Sequence, residues 1–423
     1  MSTTTVPGHD TGTEAGTGTG PRLRRAVITG IGVVAPNGFD TDEYWDAVLR
    51  GRSGIDRVTR FDPARYPAQL AGEVPDYDVR EHIPGRLVPQ TDQSTRLALI
   101  AMDAAVGDSH LDLAGVPKDQ VGVVTGSSVG GLEYSQRELE KLWSLGSDHV
   151  SAYLSFSWFY AVNTGQISIR HGLLGPGGVL TGHTSGLDAV AQARRYVAEG
   201  LRVAMCGAVE SGLCPLGWTI ELTTGRLSTV TDRTRAYLPF DTAASGYVLG
   251  EGGAMLVVEE AGHARGRGAR PYGEIAGYAT TFDPRPGSAR EPGLRRAIEA
   301  ALSDAGVTPA DVDVVFADAA GVAQLDRAEA AAVTGVFGPR AVPVTTPKTT
   351  TGRLYAGSPA LDVATALLSM RYGVIPSVIN VTDPVRSDQL DLVLDRPRET
   401  TVSTALVLAR GEGINSAMVL TAV

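Results

Sequence analysis

The stretch "AGVPKDQVGVV" at residues 114–124 returns as "AGVTPADVDVV" at 305–315, and this near-copy decides how the fold is read. Each copy follows an alanine-rich run with helical spacing, "ALIAMDAAVGDSHLDL" before the first and "LRRAIEAALSDAG" before the second. A helix, a turn and a Val-rich strand are therefore encoded twice, the mark of an internal duplication. From "RRAVITGIGVVAPNG" (24–38) onward, strand-like and helix-like runs alternate to the C-terminus, which favours α/β layering. The charged, Gly-rich link "VEEAGHARGRGARPY" (258–272) separates the two copies. The expected organisation is a disordered Thr/Gly-rich tail at 1–23, an N-terminal half at 24–260 and a C-terminal half at 270–423.

At 423 residues and 43% hydrophobic, the chain can bury a large core. A net charge of -10 provides no global positive field to draw in phosphates, so no nucleic-acid partner is expected. The cysteines, Cys206 and Cys214, form no CxxC pair and no histidine cluster has ligand spacing, so neither a disulfide framework nor a metal site is expected. That usage suits a reducing cytoplasm. The N-terminus lacks the apolar core of a signal peptide, no later run is long and uncharged enough to span a membrane, and no cofactor is expected.

Three motifs could carry chemistry. In "VLTGHTSGLDAV" (179–190) an apolar run breaks at Thr181-Gly182, presents His183, and restarts as a helix with Leu187, Val190, Ala191 and Val197 on one face. A helix N-terminus activates a thiolate but disfavours an imidazolium, so His183 is either a neutral hydrogen-bond donor or a packed side chain. "GSSVG" (126–130) matches the nucleophile elbow around Ser128, yet no histidine follows where a hydrolase needs one, and a close-packed turn is preferred. In "PVTTPKTTTGRLYAG" (343–357), Lys348 follows a strand and is expected to pair with an acid such as Glu329.

With these residues in view, the chain from Arg24 to Val423 resembles the ketosynthase-type condensing enzymes of the thiolase fold. The general pattern lies in "VITGIGVVAPNG", "LPFDTAASGYVLGEGG" (238–253) and "GINSAMVL". In detail it is similar to the chain length factors, the ketosynthase beta subunits of bacterial type II aromatic polyketide synthases, through "SFSWFYAVNTGQISIRHG" (155–172) and "PKTTTGRLYAG". The resemblance implies duplicated βαβαβ halves in an α-β-α-β-α five-layer sandwich. It also implies an active site of one cysteine and two histidines in the condensing members. Carried over by position, the cysteine falls on His183, the first histidine on Asp318 and the second on Arg353, while Lys348 keeps its identity. The phenylalanine-bearing glycine loop of active members is replaced by "ARGEGIN". An ionised aspartate accepts, an arginine cannot act as a base near neutrality, and no thiolate is present, so the site is expected to be degenerate.

The function this resemblance implies is therefore non-condensing. The chain is expected to pair with a ketosynthase alpha subunit, receive acyl carrier protein, and shape the interface tunnel that sets poly-β-ketone length. The helix after "SSVGG" is the expected wall, with Leu132, Ser135 and Leu139 as size gates on one face. These side chains are smaller than phenylalanine, which implies a long tunnel. Arg194 and Arg195 are candidate contacts for the carrier protein. The alternative is a malonyl-carrier-protein decarboxylase that primes the synthase through His183, which stands where chain length factors more usually hold glutamine.

Overall fold

The computed structural model describes residues 24–285, 287–385 and 389–423; the tail expected at 1–23 lies outside them. The first half is built around five strands, Ala26–Val34 (β1), Val121–Ser127 (β2), Gly177–Thr181 (β3), Val203–Glu210 (β4) and Gly252–Glu260 (β5). β1, β2 and β4 are buried from end to end, as continuous apolar runs covered on both faces should be. β1 pairs antiparallel with β5 and β5 antiparallel with β4, whereas β4 and β3 both run parallel to β2. The strand order is therefore β1-β5-β4-β2-β3, with β3 at the edge.

The second half repeats this order with Gly273–Phe282 (β6), Val314–Phe316 (β7), Pro343–Thr345 (β8), Thr404–Gly411 (β9) and Ile414–Thr421 (β10). Its sequence is β6-β10-β9-β7-β8, with the same parallel and antiparallel choices, and a two-residue strand, Asp391–Leu392, beyond β8. The repeated stretches of sequence end in β2 and β7, which hold the same place in each half. The halves join where β1 meets β6 through Val27–Glu274 and Ile28–Gly273. The link between them is ordered: Glu260 caps a short helix, Ala261–Gly266, by accepting from the Gly262 and His263 amides.

Helices fill the layers. Gln93–Ser109 (α1) and Val162–His171 (α3) cover the outer face of the first half. Leu294–Ala305 (α5) and Ala323–Phe337 (α6) cover that of the second. Between the two sets of strands lie Ser185–Ala198 (α4) and Gly357–Tyr372 (α7), in the largest core cluster. α7 is buried on every side from Gly357 to Ser369, which only a helix that is apolar nearly all round can tolerate. The five layers of a thiolase-like sandwich follow. Leu132–Leu145 (α2) has no counterpart in the second half: it extends the β2–β3 crossover, which between β7 and β8 contains α6 alone.

Glycine sets the spacing of the layers. A Cβ on Gly30 or Gly32 would lie 2.1 Å or 1.9 Å from a carbonyl oxygen of α1, so "TGIG" in β1 is what lets α1 lie flat on the strand. At the centre, a Cβ on Gly186 of α4 would stand 2.1 Å from the Ala356 carbonyl at the start of α7. Gly186→Ala must push the central helices apart, with an expected loss of about 1–3 kcal/mol in urea unfolding.

Candidate functional site

The corner expected from sequence forms at the sheet edge. β3 ends at Thr181, Gly182 turns the chain with φ of 110°, and His183 precedes Thr184, the N-cap of α4. Only glycine adopts that φ without strain. Thr184 is buried and its hydroxyl donates to Asp188 Oδ2 at 2.8 Å, which fixes the first turn of α4. The His183 side chain stays 29% exposed, and its Nε2 lies 3.8 Å from Glu412 Oε1, beyond hydrogen-bond reach. Leu187, Val190, Ala191 and Val197 are buried, as their spacing predicts.

"ARGEGIN" is the tight hairpin between β9 and β10. Glu412 and Gly413 both have positive φ, 53° and 80°, the requirement of a two-residue turn whose twist matches the strands. Its backbone lies against the imidazole: a Cβ on Gly411 would sit 2.5 Å from the His183 Cβ. Arg410 anchors this hairpin by donating to the Leu325 carbonyl at 2.9 Å and from its amide to Asp318 Oδ1 at 3.0 Å.

Asp318 and Arg353, which the resemblance sets at the two histidine positions, face one another as a buried bidentate pair. Arg353 Nη2 donates to Oδ1 at 2.9 Å and Nη1 to Oδ2 at 3.1 Å, and Nη1 also reaches the Asp318 carbonyl at 2.7 Å. Burial alone would raise the Asp318 pKa, but Arg353 and Lys348 outweigh it and hold the carboxyl below the usual carboxylate range. Arg353 is pinned charged in turn, and its guanidinium lies over the Tyr247 ring, 5.6 Å from the centroid. Neither side chain has a proton to exchange near neutral pH.

Lys348 is buried as expected, but its acid is not Glu329. It pairs with Asp362 of α7 at 2.6 Å and donates to the Ala317 carbonyl at 2.7 Å. Glu329 instead accepts from the amides of Asp318 and Ala319 at 2.7 Å and 2.9 Å, fixing the turn after β7. Asp326 does the same for Phe240 and Gly321, and burial pushes its pKa up to about 7. These acids are scaffolding for the Asp318 loop.

His183, Asp318, Arg353, Arg410, Tyr247 and Glu221 share a cavity of about 210 Å³, smaller than the range typical of ligand sites. Neither cysteine serves it as a nucleophile. Both are buried and free, and burial pushes the Cys214 thiol up to about 11. What the corner offers is one imidazole beside a locked ion pair.

The "GSSVG" turn is not an elbow. Ser128 Oγ donates to Glu210 Oε2, while Glu210 Oε1 takes the Ser127 hydroxyl and the amides of Ser128 and Val129 at 2.7, 2.7 and 3.0 Å. A serine held by a buried carboxylate, with no imidazole on it, is a structural donor, and the hydrolase reading is set aside. Leu132, Ser135 and Leu139 lie half-buried on one face of α2, and the Ser135 hydroxyl is turned back onto the Gly131 carbonyl at 2.8 Å. Of the candidate carrier-protein arginines, Arg195 is exposed and bonds Gln192 at 3.0 Å, whereas Arg194 pairs with Asp304 at 2.6 Å and bonds the Ala276 carbonyl. The residues that sequence alone did not single out, Glu210, Asp362 and Arg410, all act across elements distant in the chain. The nearest signal was Glu210 itself, a charge ending the apolar run "VAMCGAV".

Two outcomes follow for stability. Arg353→Met strands a buried carboxylate and costs about 3–5 kcal/mol in urea unfolding, whereas the pair Asp318→Leu/Arg353→Met loses less than the single change. For Asp326, a pKa raised on folding means that the folded state binds the proton more tightly, so its contribution to stability falls as pH rises from about 4 to about 7. Asp326→Asn lacks this term. Its deficit relative to the parent shrinks between pH 5 and pH 8, read from urea midpoints.

Comparison with known proteins places this geometry. The family model "Beta-ketoacyl synthase, N-terminal domain" matches residues 23–264 and "Beta-ketoacyl synthase, C-terminal domain" matches 272–382. The tetracenomycin polyketide synthase ketoacyl synthase beta subunit of Streptomyces glaucescens is 56% identical over 398 residues, covering 93% of this chain and 97% of that protein. The 3-oxoacyl-[acyl-carrier-protein] synthase 2 of Coxiella burnetii is 33% identical over 410 residues, 95% of this chain and 99% of that one. Among solved structures, the ishigamide ketosynthase/chain length factor superposes with a TM-score of 0.87 at 26% identity, over 95% of this chain and 100% of that chain. A type II polyketide synthase acyl-carrier protein in complex with its ketosynthase bound to the hexaketide matches with a TM-score of 0.85 at 26% identity, with the same coverage. Two family models spanning both halves and a beta-subunit relative above half identity agree: the chain belongs to the beta-ketoacyl synthase family, within its chain length factor (ketosynthase beta) group of type II polyketide synthases.

Proposed function

We propose that this chain is the non-condensing partner of a catalytic ketosynthase alpha subunit, with 24–260 and 270–423 as its two halves, and that it sets poly-β-ketone length through the wall of a shared tunnel. The observation that carries this is the Asp318–Arg353 ion pair beside His183. Acyl transfer needs a thiolate, and decarboxylative condensation needs neutral donors that stabilise an enolate. Here the donor positions neutralise each other and the nucleophile position holds an imidazole.

Pairing is supported by the surface around β3. This strand is the free edge of the sheet and its residues are half-buried or exposed. Against Gly130, in the loop that follows β2, Trp158, Phe159 and Tyr160 are each more than a third exposed, a concentration of aromatics typical of interface cores. Leu132, Ser135 and Leu139, half-buried in the single chain, are the wall such a partner would close over. The solved complex of a carrier protein with its ketosynthase supports carrier-protein delivery of the growing chain. Two free, buried cysteines and the absence of a helix long and apolar enough to cross a membrane among the described residues support work in the cytoplasm.

The priming-decarboxylase alternative through His183 is not favoured, since the imidazole stands without a partnering donor or acid in hydrogen-bond range. Two experiments on the reconstituted heterodimer test the assignment. With Leu132→Phe or Leu139→Phe, product masses fall by one or more acetate units; unchanged masses remove the gate role. With His183→Ala, carbon dioxide release from malonyl-carrier protein stays at the parent rate; a large loss would reinstate the alternative.

A further inference from the structure

The gate helix α2 is held in an unusual way. Its last turn is exposed: Trp143 and Leu145 are 79% and 61% exposed, and the helix stops at Gly146 with φ of 101°. A cavity of about 460 Å³ is bounded by Glu133, Gln136 and Arg137 of α2 together with Arg96 and Cys214. The middle of the helix is held by buried Glu138, which accepts from the Ser151 amide at 2.7 Å, and by Gln136, which accepts from the Leu216 amide at 2.8 Å; its first turn is held separately.

That turn is fixed by two buried carboxylates from elsewhere in the chain. Asp92 caps α1 by accepting from the Ser94 amide at 2.9 Å, and its other oxygen accepts from the Tyr134 amide of α2 at 2.8 Å. One carboxylate thus serves the positive ends of two helices. Glu210, at the end of β4, holds the loop that leads into α2 through Ser127, Ser128 and Val129, and its second oxygen also accepts from the Ala356 amide at 3.0 Å. The start of α2 is thereby tied to α1 on one side and to the entry of the central helix α7 on the other. Close backbone contact supports the same turn: a Cβ on Gly131 would lie 2.1 Å from the Ser157 carbonyl.

We propose that Asp92 and Glu210 are positioning residues for chain length, fixing the register of α2 and so the depth at which Leu132 and Leu139 stop the growing chain, without touching it. This rests on the gate reading of α2. In Asp92→Asn an amide NH₂ must face either the Ser94 or the Tyr134 N–H, so one of the two ties is lost at almost unchanged volume. Ser128→Ala is the milder change and removes one tie to Glu210.

The test is product mass from heterodimers recovered by size exclusion and supplied with malonyl-carrier protein, with Leu139→Phe run in parallel. The expected result is a mixture of lengths in place of one, the ratio of off-length to dominant product rising about tenfold in Asp92→Asn, the factor one lost charge-assisted hydrogen bond carries. Ser128→Ala gives a smaller shift in the same direction and decides the matter if Asp92→Asn yields no heterodimer. Should Leu139→Phe shorten the product while both positioning variants keep a single parental length, the inference is overturned and the gate stands. A purely structural role would show this way, as lower heterodimer yield with length unaltered. If Leu139→Phe also leaves length unchanged, the gate reading fails and the positioning role falls with it.

Discussion

The structure depends on the close approach of α4 and α7, sandwiched between the two sets of strands. Gly186 allows the Ala356 carbonyl to within a distance that any side chain would forbid, and α7 is accordingly buried on all sides. Because each half contributes one of these helices at the same place in its topology, their N-terminal ends converge. His183 stands just before α4 and Arg353 just before α7, so the crossing of two helices assembles the site. Lys348 is drawn into the same region by Asp362 on α7.

What the fold places there, in a beta-ketoacyl synthase frame, is a histidine beside a buried ion pair. A buried ion pair contributes little net stability compared with apolar packing, but it is strongly directional once formed. Asp318 takes both nitrogens of Arg353 and the Arg410 amide, which ties the loop after β7 to the entry of α7 and to the β9–β10 hairpin. The corner is thereby a rigid joint. Length setting needs a wall that does not yield, and a joint of fixed charges in place of titrating histidines supports that requirement across neutral pH.

Much of this was legible in the chain before any coordinates. The repeat at 114–124 and 305–315 announced two equivalent halves, and the strand orders β1-β5-β4-β2-β3 and β6-β10-β9-β7-β8 are its three-dimensional form. The glycine turn and helix spacing around His183 located the corner, since local periodicity and turn chemistry act over a few residues. Contacts between distant elements were not legible. Lys348 was expected to meet Glu329 but meets Asp362, because α7 brings its acid inward while Glu329 is occupied by backbone amides. Arg194 reads as a free surface charge until Asp304 is seen beside it. "GSSVG" reads as a close-packed turn, but the carboxylate of Glu210 that holds it comes from a neighbouring strand. In each case a charge found its partner through packing, which spacing along the chain does not encode.

The central claim is that this subunit contributes dimension and not chemistry. It is tested most directly by holding one ketosynthase alpha subunit constant and pairing it in turn with this chain and with a chain length factor from a synthase of different product length. Product mass is measured from the same carrier protein. The account predicts that length follows the beta subunit, so that exchanging this chain alone changes the number of acetate units. A product length that stays with the alpha subunit whichever partner is present would contradict it.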